Sequence, residues 1–121
     1  MTNQRLFRLN EQFLREITGI LRNDVRDPRV RGVVVTAVAV TPDLWMARVY
    51  VKTNHVDKEA REAMECLNTA SSFIRSMLGS RLHIRRIPEL RFLEDEIPDQ
   101  VYRIEEILQD IKKENDTESL D

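Results

Sequence analysis

The sequence predicts a single α+β domain in which a three-stranded sheet packs on helices, with one further amphipathic helix at the C-terminus. Three observations lead to this class. The chain has 121 residues, 41% of them hydrophobic and 33% charged, which allows one domain with one core. Apolar residues recur at helical spacing in some stretches and alternate as in strands in others. These stretches follow the order helix, strand, strand, helix, helix, strand, and then the C-terminal helix.

The first three elements are a helix and two strands. Residues 4–24 carry apolar side chains at three- and four-residue spacing, and Asp27-Pro28 ends this helix because the residue before proline avoids the α conformation. Val33 to Thr41 is almost entirely β-branched or small, which is typical of a strand. Pro42-Asp43 predicts a turn, and Trp45 to Asn54 alternates in polarity, so the two strands should form an antiparallel hairpin with one buried face. The side chains expected on that face are Ala47, Val49 and Val51.

A long helical pattern follows, and its composition predicts an interruption. Asp57 is a suitable N-cap and Gly79 a suitable C-cap. Between them, the run Asn-Thr-Ala-Ser-Ser at 68–72 is poor in strong helix formers, because short polar side chains compete for backbone hydrogen bonds. We therefore expect a kink there, which divides the stretch into two helices. Leu82 to Leu93 is predicted to be the third strand, and a change of parity near Pro88 indicates a bulge or an edge position.

Charge is distributed unevenly along the chain. Residues 1–93 contain 16 basic and 10 acidic residues, a net charge of +6, whereas residues 94–121 contain 3 and 11, a net charge of −8. Such asymmetry points to a polyanionic partner for the basic part, although an uneven solvated surface gives the same count. We expect a folded RNA-binding domain over residues 1–95, and an acidic C-terminal helix with a disordered tail over residues 96–121.

Residues that could perform catalysis or hold a metal are few and scattered. Cys66, the only cysteine, has no histidine near it in the sequence, and His55 and His83 are far apart. Three glycines in total cannot form a phosphate-binding loop. We therefore expect no enzymatic activity, no cofactor and no metal. A single cysteine, and no apolar stretch of roughly 20 residues, predict a cytoplasmic protein without a membrane span.

The strongest local signal is the stretch 71–88, which contains four arginines and a histidine but no acidic residue. Arginine suits phosphate because its planar fork donates two parallel hydrogen bonds, and a helix start near Ser71 adds free N–H groups and a positive dipole end. The outward face of the second strand extends this surface, with Tyr50 as a ring for stacking. The residues predicted to contact RNA are Arg48, Lys52, Ser71, Ser72, Arg75, Arg81, His83, Arg85 and Arg86. Charge alone leaves open a basic face with no nucleic-acid role and an adaptor surface that docks on an acidic protein.

The order of elements resembles the type II KH domain, an RNA-binding module whose helix–helix junction is ordinarily a Gly-x-x-Gly loop. The junction here, Asn68 to Ser72, has no glycine. In this respect the chain resembles the bacterial ribosome-binding factor A family, in which a helical kink at an Ala-x-Gly motif replaces the loop. Ala70 occupies the alanine position, and Ser72 stands where glycine is usual. The other matching stretches, within residues 5–95, are Asp27-Pro28-Arg29-Val30, Thr41-Pro42-Asp43-Leu44, Phe73-Ile74-Arg75 and Ile87-Pro88-Glu89-Leu90-Arg91-Phe92.

The resemblance implies a monomeric assembly factor that acts by binding alone. Its partner would be 16S ribosomal RNA in the free small (30S) ribosomal subunit, whose maturation near the 5′-terminal helix it would assist, most importantly in the cold. Ala70 would be the structural kink. Reversing Arg75, Arg81 and Arg85 to glutamate should abolish co-sedimentation with small subunits and leave the thermal melt nearly unchanged.

Overall fold

The computed structural model describes residues 2–98, together with residues 108 and 111. Within residues 2–98, three α-helices and three strands follow the predicted order, and a short 3-10 turn at Pro28–Val30 comes after the first helix. The α+β class and the division of the long helical stretch into two helices are therefore confirmed. The elements are α1 (Thr2–Asn23), β1 (Val34–Val40), β2 (Met46–Lys52), α2 (Asp57–Thr69), α3 (Ser71–Arg81) and β3 (Glu89–Glu94).

The sheet has the strand order β1-β2-β3. As predicted, β1 and β2 form an antiparallel hairpin, and the turn closes with the Leu44 N–H donating to the Thr41 carbonyl over 2.8 Å. β3 is an edge strand that pairs in parallel with β2. A parallel neighbour needs a crossover connection, and the α2–α3 pair supplies it.

The third strand is shorter than the sequence indicated. Residues 82–88 are not part of it, and pairing begins at Glu89, whose N–H donates to the Trp45 carbonyl over 2.9 Å. Pro88 has no N–H to give to a sheet, and its carbonyl, like that of Ile87, accepts a hydrogen bond from Arg75 instead. The backbone before Glu89 is thus engaged by a helix rather than by a strand.

The helices cover one face of the sheet and enclose the core. The predicted inward residues of β2, Ala47, Val49 and Val51, are at most 1% exposed. They pack in one cluster with apolar residues of every helix and of the edge strand, including Phe13, Ile17, Ile20, Leu67, Ile74, Leu78, Leu90 and Phe92. The opposite face, which we call the outer sheet face, presents the alternate residues of the three strands.

Ala70 is the single residue between α2 and α3. Its ψ of 0° departs from helical geometry, although its N–H still donates to the Cys66 carbonyl and its carbonyl accepts from Ile74 N–H, both over 2.9 Å. The axis can therefore change direction while the backbone hydrogen bonds on either side of the break are kept.

Both predicted helix caps are wrong. Asp57 is the first residue of α2, the cap position is Val56, and no side chain bonds there. Gly79 lies inside α3, which continues to Arg81. A β-carbon at position 79 would come within 3.3 Å of Cγ1 of Ile87, so this glycine serves a close approach between the helix and the following loop rather than the end of the helix.

The division into residues 1–95 and 96–121 stays a prediction. The predicted C-terminal helix and tail lie outside the described residues, apart from Leu108 and Ile111, which are helical with exposed side chains. Within the described part of the chain, no helix combines the length and the apolar character that crossing a bilayer requires.

Candidate nucleic-acid interface

Arg75 and Arg81 form contacts within the protein. The Nε of Arg75 donates to the Pro88 carbonyl over 3.0 Å and its Nη2 to the Ile87 carbonyl over 2.7 Å. The guanidinium group therefore ties α3 to the start of β3. This contact positions the loop between them, which contains two further arginines of the basic stretch.

Arg81 is neutralised by two carboxylates, that of Glu16 in α1 and that of Asp24, the residue directly after α1. Its Nη2 lies 2.6 Å from Oδ2 of Asp24 and its Nη1 3.5 Å from Oε2 of Glu16. The side chain passes over Gly19, where a β-carbon would be 3.4 Å from Nη1. Because the Arg81 side chain is only about a third exposed (33%) and is already paired, it offers little charge to an anion from outside.

The loop between α3 and β3 presents the accessible charges of the basic stretch. His83, Arg85 and Arg86 are exposed, and the Cζ of Arg86 lies 3.5 Å from the ring centroid of Trp45. This is a cation–π contact, and the Trp45 side chain remains 59% exposed. A stacked guanidinium–indole pair at the surface can hold a phosphate and a base together. Trp45 was not among the predicted site residues, although a tryptophan beside a polar turn was a visible signal.

A second pair of cations lies on the outer sheet face. Arg48 of β2 is directly opposite Arg91 of β3, and both are exposed. Backbones of neighbouring strands are about 4.8 Å apart, and like charges placed opposite each other repel, so an anion bound between them would relieve this cost. Tyr50, the next outward residue of β2, provides the ring anticipated from the sequence. Arg91 was not among the predicted site residues, because its position opposite Arg48 depends on the parallel register of β2 and β3.

The remaining predicted residues lie apart from the Trp45–Arg86 pair. Ser71 and Ser72 form the first turn of α3, where no side chain caps the helix, one turn before Arg75. Lys52 ends β2, and at about 3.3 Å per residue it lies roughly 20 Å along the strand from Trp45. The structure thus brings Arg85 and Arg86 to one end of the sheet, places Arg48 on its outer face, and leaves Lys52 at the other end.

Groups suited to catalysis or metal binding do not gather in the described part of the chain. No three His, Cys, Asp or Glu residues there are close enough to hold a metal ion. Cys66 is buried, and burial, with the neighbouring Asp27 carboxylate, raises the pKa of its thiol. His55 Nε2 lies 3.1 Å from the Arg31 carbonyl.

The fold and this surface define a class: a KH-like α+β domain of type II, with a helix break in place of the glycine loop and uncovered cations on the sheet. Comparison with known proteins narrows the class to a family, because a family model described as Ribosome-binding factor A matches residues 5–108. The chain is also similar to the ribosome-binding factor A of Staphylococcus epidermidis, with 42% identity over 93% of this chain and 97% of the relative. It belongs to the ribosome-binding factor A family, as the sequence resemblance indicated.

Solved structures show the same likeness. The crystal structure of ribosome-binding factor A from Thermus thermophilus matches with a TM-score of 0.68 and 27% identity, over 74% of this chain and 94% of that one. A homology model of the Thermus thermophilus factor, fitted into the cryo-EM map of a 30S complex, matches with a TM-score of 0.60 and 27% identity, over 69% of this chain and 88% of that chain.

Proposed function

We propose that this chain binds the free small ribosomal subunit in the cytoplasm and assists maturation of 16S ribosomal RNA near its 5′-terminal helix. It does so by binding alone, without catalysis or a cofactor. The observation that carries the proposal is membership of the ribosome-binding factor A family. The Thermus thermophilus member, placed in a map of a 30S complex, indicates the kind of partner.

The surface that best suits RNA consists of the Trp45–Arg86 pair and the Arg48–Arg91 pair, which we call the sheet interface. Arginine donates two parallel hydrogen bonds to a phosphate, and the indole ring accepts a base by stacking. Arg85 and His83 lie in the same loop as Arg86 and add cationic or hydrogen-bonding groups. Arg75 supports this interface indirectly, by holding that loop.

A binder without chemistry acts by shifting a population. If one arrangement of the ribosomal RNA binds the protein more tightly than its competitors, that arrangement gains occupancy in proportion to the difference in affinity. Misfolded RNA pairings are more persistent at low temperature. We therefore propose that the protein matters most in the cold.

The test is co-sedimentation of the full chain with purified small subunits at several salt concentrations. A sheet-interface variant, R48Q/R86Q/R91Q, removes three exposed positive charges. A matched control, R5Q/K58Q/R61Q, removes three exposed positive charges elsewhere. Each lost phosphate contact weakens the dependence of log affinity on log salt by roughly 0.7–0.9, so the sheet-interface variant should lose about 2–3 units of slope and the control little.

A wild-type chain that fails to bind small subunits at all would overturn the proposed function. A sheet-interface variant that binds as tightly as the wild type would overturn the assignment of the sheet interface and leave the proposed function standing. If the chain still binds the protein fraction that remains after nuclease has removed the RNA, a protein–protein adaptor is the better explanation.

A further inference from the structure

A second group of arginines surrounds a concavity on the other side of the molecule. The space lies between the end of α1, the 3-10 turn and the start of β1, and has a volume of about 650 Å³. We call it the α1–β1 pocket. Arg22, Arg26 and Arg31 line it, and the side chain of Asn23 stands beside them. All three arginines are exposed.

These three guanidinium groups form no hydrogen bond or ion pair with any residue that the structure describes. The two carboxylates of the segment are already occupied. Asp24 pairs with Arg81 over 2.6 Å. Asp27 pairs with Arg29 over 2.7 Å, and the bonds from Arg29 hold the pKa of Asp27 far below its usual range. Among the residues that the structure describes, the pocket is therefore lined by three arginines without an ion-pair partner and by one carboxylate, Asp27, that is already paired with Arg29.

Gly32 lines the pocket between Arg31 and β1. Its φ of +79° is one that residues other than glycine rarely adopt. A β-carbon built there would lie in van der Waals contact with the Asn54 side-chain amide, at 3.7 Å.

The pocket is far from the Trp45–Arg86 pair of the sheet interface. Asn10 of α1 bonds the N–H of Val40 at the end of β1, so the later part of α1 runs toward the start of that strand. β1 has seven residues and spans roughly 20 Å. The Trp45–Arg86 pair lies at the β1–β2 turn, and the α1–β1 pocket lies at the opposite end of the same sheet.

We infer that the α1–β1 pocket is a second RNA contact, which holds phosphate groups of the RNA backbone through Arg22, Arg26 and Arg31. This inference rests on the proposed function, because it assumes an RNA partner. Unpaired arginines around a concavity suit phosphate, since each fork donates two charge-assisted hydrogen bonds to an oxyanion. Two arginine clusters at opposite ends of one sheet fix the orientation of the protein on its RNA, which a single cluster cannot do.

The test measures binding of the full chain to purified small subunits at salt concentrations from about 0.05 to about 0.2 M. Over this range, salt strongly weakens contacts between arginine and phosphate. The pocket variant is R22Q/R26Q/R31Q, and the control is again R5Q/K58Q/R61Q. Loss of three phosphate contacts should reduce the salt slope by about 2–3 and weaken binding on the order of 100-fold near 0.15 M salt. The control should stay close to wild type. A parallel titration with a protein-free 16S ribosomal RNA transcript should show the same loss.

Each outcome decides the inference. A pocket variant that binds like wild type, or a control that loses as much, overturns it and leaves the proposed function intact. A variant that loses subunit binding but keeps full affinity for the naked transcript also overturns it, because the pocket then contacts a ribosomal protein. A wild-type chain that binds neither probe refutes the proposed function itself. If the triple variant melts early, the three single variants carry the test, each with a slope reduced by roughly 0.7–0.9.

Discussion

Replacing Arg75 by alanine should destabilise the fold even though the residue belongs to the basic stretch. The change removes two hydrogen bonds to the carbonyls of Ile87 and Pro88 and frees the loop before β3. A hydrogen bond to a charged group contributes about 1.5–3 kcal/mol, but this side chain is exposed and water competes for it. We therefore expect a loss of about 1–2 kcal/mol for the pair of bonds.

A loss of that size is easily measured. For a domain of roughly 100 residues, 1 kcal/mol lowers Tm by about 4–8 °C, so Arg75→Ala should melt about 5–10 °C below wild type. Circular dichroism at varying temperature, repeated in urea, gives both quantities. Arg75→Lys keeps the positive charge but not the planar fork of hydrogen-bond donors. Its Tm should therefore lie between those of the wild type and of Arg75→Ala.

Arg85→Ala is the matched control. Arg85 is exposed and makes no hydrogen bond with another described residue, so its loss should change stability by less than about 0.5 kcal/mol. If Arg75→Ala melts with the wild type, or Arg85→Ala melts as early as Arg75→Ala, the assignment of a structural role to Arg75 is wrong. The same contacts revise the expectation from sequence that a glutamate reversal of Arg75, Arg81 and Arg85 would leave the melt unchanged, because two of the three residues hold the fold.

Two further predictions concern carboxylates. Asp95 is 7% exposed and accepts hydrogen bonds from the Thr36 hydroxyl over 2.5 Å and the Ile97 N–H over 2.9 Å. Asp95→Ala should therefore lower the free energy of unfolding by about 2–3 kcal/mol. An unchanged midpoint of urea unfolding would contradict this. The pKa of Asp27 is lowered by its bonds from Arg29, so its stabilisation is complete above the unfolded value near 3.9 and is lost as pH falls toward the folded value. The Tm difference between wild type and Asp27→Asn should therefore be constant from pH 7 to pH 5 and shrink below pH 4, and a difference that stays the same at pH 3 would refute the argument.

The type and order of the elements could be predicted because the patterns behind them are local. Alternation in β2 identified Ala47, Val49 and Val51 as inward residues, and all three are buried. The weak helix formers at 68–72 located the break that the structure shows at Ala70. Element ends were less predictable. Gly79 lies inside a helix and close to Ile87. The third strand begins only at Glu89, directly after the two carbonyls, those of Ile87 and Pro88, that accept hydrogen bonds from Arg75.

The sequence by itself determined that the chain is a single α+β domain with a broken helix, that its arginines concentrate in the folded body, and that it resembles ribosome-binding factor A. Periodicity, turn residues and charge counts depend on neighbours in the chain, so one sequence suffices for them. Only the tertiary structure decided which arginines remain available. Arg81 is paired with Asp24, which lies 57 residues away, Arg48 meets Arg91 through a parallel register, and Arg22, Arg26 and Arg31 share a pocket. Whether a charge is free depends on what folding places beside it, and that information lies in contacts between distant residues.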